Sequence, residues 1–499
     1  MLQVIIKNNV NKVYNFSEKY GIMIISKKRK GTNMSVSDMI ICILFTTFAA
    51  SYAWGMRGTV MGGEKGAMLP GAFIGLILAW FSGGAIRENF WIPAAAGLMG
   101  MTFGGTEPYG ETIGMVLHRG RPDHNPAKGY FGLAFKGALW FSICGGFIAI
   151  SLASMSKNIY KTSDLVVFML LVPAIQQTGY RVFNQPYDKE KGIYPKIFYS
   201  LTRREEWGSN LALLIAMLAF AVIRGDDFTL AMIAGGFFFG AVGWLVAMKF
   251  YVLSAFPMKN GKYILGMLSE KKLVDGWKIM EFTLGAIGGF GLALTYCVRF
   301  VFVEKYNEAI ALGGVRTLPV SLEKFMPFIC ILLSLGIVGV NLYAFICDRK
   351  NKRVNSFVCD LIERPLYNVI PMIFVLLGSQ FTAKYSTVFI LVFVLAVKCF
   401  FDRFPESKLL PLAGVILTSV CALVFAGCFY PAFCTPSVII IIGTVPYLIT
   451  ELICVIWKAP RMGRTATDVV FKTPFITVYP FMVLQSILII IFSIKKFII

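Results

Sequence analysis

Charge is what this chain has least of for its size. Only 15% of its 499 residues are Asp, Glu, Lys or Arg, against about 25% in soluble proteins. Hydrophobic residues make up 57%, and mean hydropathy is +0.70. A water-facing surface could not carry that much apolar side chain. A soluble enzyme, a nucleic-acid-binding domain and a disordered chain are therefore excluded. Histidine is scarcer still, with only His118 and His124. None of the eleven cysteines forms a C-x-x-C pair, and Cys42, Cys144, Cys330, Cys421 and Cys454 fall inside apolar runs. They read as buried reduced thiols rather than a disulfide or zinc framework. The chain also lacks H-E-x-x-H, G-x-S-x-G, the protein-kinase set and the phosphate-binding G-x-x-x-x-G-K-[ST]. No cofactor is expected.

What is abundant is the long apolar run. A bilayer-spanning helix needs about 20 mainly apolar residues. Such stretches lie near 38–56, 66–83, 88–105, 129–154, 163–180, 208–224, 228–250, 276–302, 325–347, 366–382, 385–401, 409–430, 436–457 and 472–494. The expected fold is an all-α, polytopic integral membrane helix bundle of about 14 (12–14) spans, with broken or re-entrant Gly-rich segments in its N-terminal half. The connections are too short to hold a soluble domain. Residues 1–33 read as a basic N-terminal tail or an over-extended start, with Met34 as the alternative start. Residues 34–302 form a Gly-rich, motif-bearing half and 303–499 a less polar half, since only nine of the 47 glycines fall in 301–499.

The net charge of +21 is spread over many short loops, as the positive-inside rule produces, and implies no nucleic-acid partner. Loops 181–207, 249–275, 348–364, 398–408 and 458–472 are basic, and the same rule makes them cytoplasmic in a cell inner-membrane protein. Segments 225–227, 383–384 and 431–436 carry almost no positive charge, whereas 303–324 carries several. Counting back places 57–65 and 106–128 on the same face as 181–207. The N-terminus then falls outside, in conflict with the Lys27–Lys30 cluster, and a start at Met34 removes that conflict.

The polar chemistry is concentrated in four motifs. In Trp54–Ala67, Gly58, Gly62 and Gly66 are spaced by four, and Gly71 and Gly75 repeat that spacing after Pro70, as in close-packed membrane helices. Arg57, Glu64 and Lys65 stand among these glycines, where a charge must pair or line a polar cavity. W-G-M-R-G followed by G-G-E-K-G-A-x-x-P-G-A resembles segments of bacterial multi-pass membrane proteins across Trp54 to Gly146, a resemblance that implies no activity.

The second motif, Gly104–Gly114, breaks at Pro108 and carries Glu107 and Glu111, which would share a face if one helix continued through both. Paired carboxylates repel, so one could hold a proton. The third, His118–Lys128, joins both histidines to Arg121 and Asp123; its spacing matches no recognised zinc site, and a phosphate-meeting basic loop or a plain loop fits it better. Lys136 follows inside the next span as a candidate buried cation. The fourth motif holds Gln176, Gln177 and Arg181, then Arg203, Arg204, Glu205 and Glu206. Its arginines offer forked donors for carboxylate or phosphate, or are neutralised by the two glutamates. Glu281, Asn341, Gln380, Glu451 and Gln485 are isolated in later spans and read as interhelical hydrogen-bond partners.

Two classes of function fit. The first is a secondary transporter or permease for a small anionic or polar solute, with Arg57 and Glu64, Glu107 and Glu111, and Arg181 and Arg203 bounding one water-accessible cavity. The second is a membrane-embedded transferase acting on a lipid-linked or phosphorylated substrate at the cytoplasmic face. Membrane lipid and a small solute are the expected partners in either case.

Overall fold

A computed structural model describes residues 34–57, 68–105, 107–118, 120–263, 275–350, 364–401, 409–428 and 479–498, with a few isolated positions between them. The helices are α1 (Val36–Arg57), α2 (Met68–Ser82), α3 (Gly84–Glu88), α4 (Trp91–Gly105), α5 (Gly110–Leu117), α6 (Pro126–Ser154), α7 (Thr162–Phe183), α8 (Trp207–Arg224) and α9 (Asp227–Ala255). They continue with α10 (Gly276–Val298), α11 (Phe300–Gly313), α12 (Val320–Glu323) and α13 (Met326–Arg349). A π-helical turn, Pro365–Val369, opens α14 (Ile370–Leu376), followed by α15 (Gln380–Phe401), α16 (Leu409–Cys428) and α17 (Tyr479–Ile498). Among the described residues there is no strand, only an isolated bridge between Asp188 and Ile193.

Among the described residues, seven helices are long and apolar enough to cross a membrane: α1, α6, α7, α8, α9, α10 and α13. Met68–Ser82 in α2, Pro365–Leu376 across the π turn and α14, Ala413–Gly427 in α16 and Val483–Phe492 in α17 are apolar but shorter. Burial separates centre from rim. The apolar window of α6 is 89% buried, whereas that of α13 is 22% buried. The outer faces of α7, α9 and α13 show Leu170, Leu171, Phe238, Phe328 and Leu335 outward. A continuous apolar rim of this kind is stable against hydrocarbon and not against water.

Local chemistry sets the helix ends. Pro126 supplies the pre-set first turn of α6, and Asn125 Oδ1 accepts from the Lys128 amide at 3.0 Å. Asp275 accepts from the Trp277 and Lys278 amides to start α10. Gly225, at φ 63°, ends α8 in the left-handed conformation that leaves glycine unstrained. The central pair α6 and α9 touches backbone to backbone, since a Cβ on Gly137 or Gly240 would collide with the carbonyl oxygen of the other. Gly71 and Gly75, from the predicted glycine spacing, bring α2 equally close to Gly97 and Pro93 of α4. Gly58, Gly62 and Gly66 lie outside the described residues.

Several isolated polar residues do link helices. Gln485 donates to Ser51 Oγ at 2.7 Å, and Gln380 to Asn89 Oδ1 at 2.7 Å. Asn341 instead donates to Ile337 O of its own helix. Glu451 lies outside the described residues.

Candidate functional site

The helix break at 107–109 is the starting point. α4 ends at Gly105 and α5 begins at Gly110 with Tyr109 as its cap, so no single helix carries both Glu107 and Glu111. Pro108 has no amide hydrogen and supports the break. The two carboxylates part company there. Glu107 turns inward and is 1% exposed, and Glu111 stays at the surface end of α5.

Glu107 meets Lys136, which is fully buried near the N-terminal third of α6. The Lys136 ammonium donates to the Pro108 carbonyl at 2.6 Å, to Thr112 Oγ1 at 3.0 Å and to Glu205 Oε1 at 2.8 Å. Glu107 Oε2 lies 3.5 Å from the same nitrogen. The second oxygen of Glu205 accepts the Tyr199 amide at 2.6 Å. Glu107 Oε1 accepts the amide of Glu206. An unpaired charge here would cost several kcal/mol, and one ammonium saturated by three acceptors avoids that cost.

Glu206 leads outward from this core. Its carboxylate accepts from Arg204 on one oxygen and from Arg364 on the other. The Arg204 guanidinium also lies 5.0 Å from the centre of the Tyr180 ring, within cation–π range. These groups line a cleft of about 550 Å³, its open mouth included, together with Gln176 and Gln177 of α7, Ser209 of α8 and Pro365 of the π turn.

A second buried pair lies on the other side of the break. Lys278 donates to Glu281 Oε2 at 2.5 Å and to the Gly55 carbonyl at 3.0 Å. Glu281 Oε1 accepts from Tyr109 Oη and Trp277 Nε1, both at 2.9 Å. The pair therefore ties the ends of α1 and α10 to the break. Nearer the surface, Arg121 binds both oxygens of Asp123 at 2.8 and 2.9 Å and Glu111 Oε2 at 2.6 Å. The Arg121 guanidinium holds the Asp123 carboxyl below the usual carboxylate range.

The structure thus gathers Glu107, Lys136, Gln176, Gln177 and Arg204 around Glu205 and Glu206. It gathers Glu111, Arg121 and Asp123 into a separate loop clasp. His118 is exposed, and His124 is half-buried with a buried Nδ1 that has no hydrogen-bond partner. The side chains of Arg181 and Arg203 are exposed and do not line the cleft. Arg57 lies in the last turn of α1 with its side chain undescribed, and Glu64 and Lys65 fall outside the described residues. Among the described residues no group of three His, Cys, Asp or Glu could hold a metal ion. Four contributors were not singled out from the sequence as site residues: Glu205, Glu206, Tyr180 and Arg364. Arg364 counted there only as loop charge, although a basic residue directly before the proline that opens an apolar helix marks a helix mouth.

The fold and the composition define an all-helical, membrane-embedded protein. No protein-family model matches the chain, and no curated protein or solved structure matches it either.

Proposed function

We propose that the protein is a secondary transporter for a small anionic solute, which it binds in the cleft between α7, α8 and the π turn. The observation that carries this reading is the charge of the lining. Among the described residues, the guanidiniums of Arg204 and Arg364 meet at the Glu206 carboxylate, beside the neutral donors Gln176, Gln177, Tyr180 and Ser209. Such a lining is complementary to an anion, and arginine forks match carboxylate, phosphate and sulfate oxygens. The site also lies where Arg364 of residues 303–499 meets Glu206 of residues 34–302, a placement suited to alternating access between two parts of a bundle. The reading keeps about fourteen crossings in an inner membrane. In it, α2 and α4 cross as a hairpin, and the break at 107–109 with α5 serves as the re-entrant element.

Counterflow in proteoliposomes loaded with sulfate, phosphate or short carboxylates tests this. At least one of these anions should accumulate. Arg364→Gln should weaken its apparent affinity by about tenfold or more, the scale of one charged hydrogen bond. Accumulation of none of them, or an affinity unmoved by Arg364→Gln, would remove the anion reading.

A further inference from the structure

The cleft and the buried core behind it form one electrostatic unit. Among the described residues, Arg204, Arg364 and Lys136 supply three positive charges, and Glu107, Glu205 and Glu206 supply three negative ones. When these six groups are ionised their charges cancel. A bound anion would leave the unit one or more charges negative in a place poorly screened by water. The least costly remedy is a proton on one carboxylate.

The three carboxylates are not equal candidates. Both oxygens of Glu205 accept hydrogen bonds, from Lys136 and from the Tyr199 amide. Both oxygens of Glu206 accept from arginine. Glu107 is different, because its Oε2 is buried, accepts no hydrogen bond and only approaches Lys136 at 3.5 Å. It is also joined directly to the cleft, since its Oε1 accepts the amide of the cleft residue Glu206. We propose that an anion entering the cleft is bound together with one proton, taken up from water by Glu107. The inference rests on the anion reading of the cleft and specifies its coupling ion.

Every described charged or titratable group that faces Glu107 bears on this. Lys136 of α6 and, from the next polar layer, Arg364 favour the ionised form; Glu205 of the 184–206 connection opposes it. Thr112 of α5 is uncharged and is already committed to Lys136 and the Tyr199 carbonyl. Glu107 sits in the connection after α4, where burial raises its carboxyl well above the ordinary range despite Lys136. By linkage, the anion raises the proton affinity of Glu107, and the proton raises that of the anion by the same factor.

The test uses the purified full-length protein in detergent, with sulfate as the probe because its own charge is constant from about pH 6 to pH 9. Sulfate affinity should fall by up to about tenfold per pH unit on the alkaline side. Above about pH 8, where the Glu107 carboxyl of the free protein is ionised, calorimetry in two buffers of different protonation enthalpy should read close to one proton taken up per sulfate. At the same pH a protonated-carboxyl infrared band should appear in the wild type when sulfate is added. Glu107→Gln should bind sulfate with a pH-independent affinity, no proton uptake and no such band. Sulfate binding by the wild type without proton uptake would overturn the coupling and leave the cleft intact. Proton uptake that persists in a folded Glu107→Gln protein would overturn the assignment to Glu107. Absence of sulfate binding at every pH would remove the cleft reading and the coupling with it.

Discussion

Asp226 and Lys136 show two ways to keep a charge out of water. Asp226, 2% exposed, precedes α9 and accepts from Tyr160 Oη and Tyr306 Oη at 2.6 Å, from Thr229 Oγ1 at 2.7 Å and from the Thr229 amide at 3.0 Å. Four donors on one carboxylate leave nothing for a ligand, so this group is a structural joint. Lys136 is satisfied in the same way, but one of its neighbours, Glu107, is not. Lys136 could be recognised as buried from its position inside an apolar run. Its partners could not, because Glu205 is 69 residues away in sequence and no local pattern pairs the two. Arg121 and Asp123 are the opposite case, a clasp built from near neighbours. The folded Asp123 carboxyl titrates below its unfolded value of about 3.9. Its contribution to stability is therefore complete above about pH 4 and is lost as pH falls through the folded value. Hydrogen exchange of segment 118–128 should accelerate in that acid window, and Asp123→Asn should shrink the acceleration.

At the scale of helices, apolar run length located most elements well. The runs read at 66–83, 163–180, 208–224 and 325–347 became α2, α7, α8 and α13 within a few residues. The run read at 385–401 became the longer α15, Gln380–Phe401, because its polar first turn is satisfied by Asn89 and Glu323. The fate of the acidic pair at 107 and 111 was not legible, since a spacing of four places residues on one face only if the helix is continuous. Close helix approach was legible only as a composition bias. Which glycines meet depends on tertiary register, as at Gly137 and Gly240. Gly240→Leu should prevent recovery of monodisperse protein. Gly240→Ala should lower stability by about 1–3 kcal/mol, the usual cost of overpacking, and the thermal midpoint in detergent would show it.

For the whole molecule, the buried polar groups collect at a few junctions between helices. Break 107–109, connection 184–206 and the start of the π turn meet at Glu107, Glu205, Glu206 and Arg364, and the end of α1 meets the start of α10 at Lys278. The opposite ends gather elsewhere. Arg316 donates to Ser154 O at 2.7 Å, to Thr162 Oγ1 at 2.7 Å and to Tyr160 O, and Asn307 donates to Ser82 O at 2.9 Å. The positive-inside rule predicts a cytoplasmic cleft face. Single cysteines at Lys191, Lys262 and Lys352, in a cysteine-free background, should therefore resist an impermeant thiol reagent in intact cells. Labelling of all three from outside would invert the orientation.

The attachment of α7 has a mechanical consequence. Its N-terminal end is pinned by Arg316 at Thr162 and by Arg224, whose guanidinium lies 2.5 Å from Asp164. Its other end carries Gln176, Gln177 and Tyr180 into the cleft, beyond Pro173. That end is tied to the start of α8, because Asn184 Oδ1 accepts the Gly208 amide at 2.9 Å and Gly179 packs against the Gly208 backbone, so the two helices tilt together. Thr162 and Tyr180 are about 27 Å apart along the helix at 1.5 Å per residue. A tilt of about 5° about the pinned end would carry Tyr180 sideways by about 2.4 Å over that length. Movement of that size would shift the α7 and α8 wall of the cleft relative to Arg364 and Pro365, while the joint around Asp226 stayed closed.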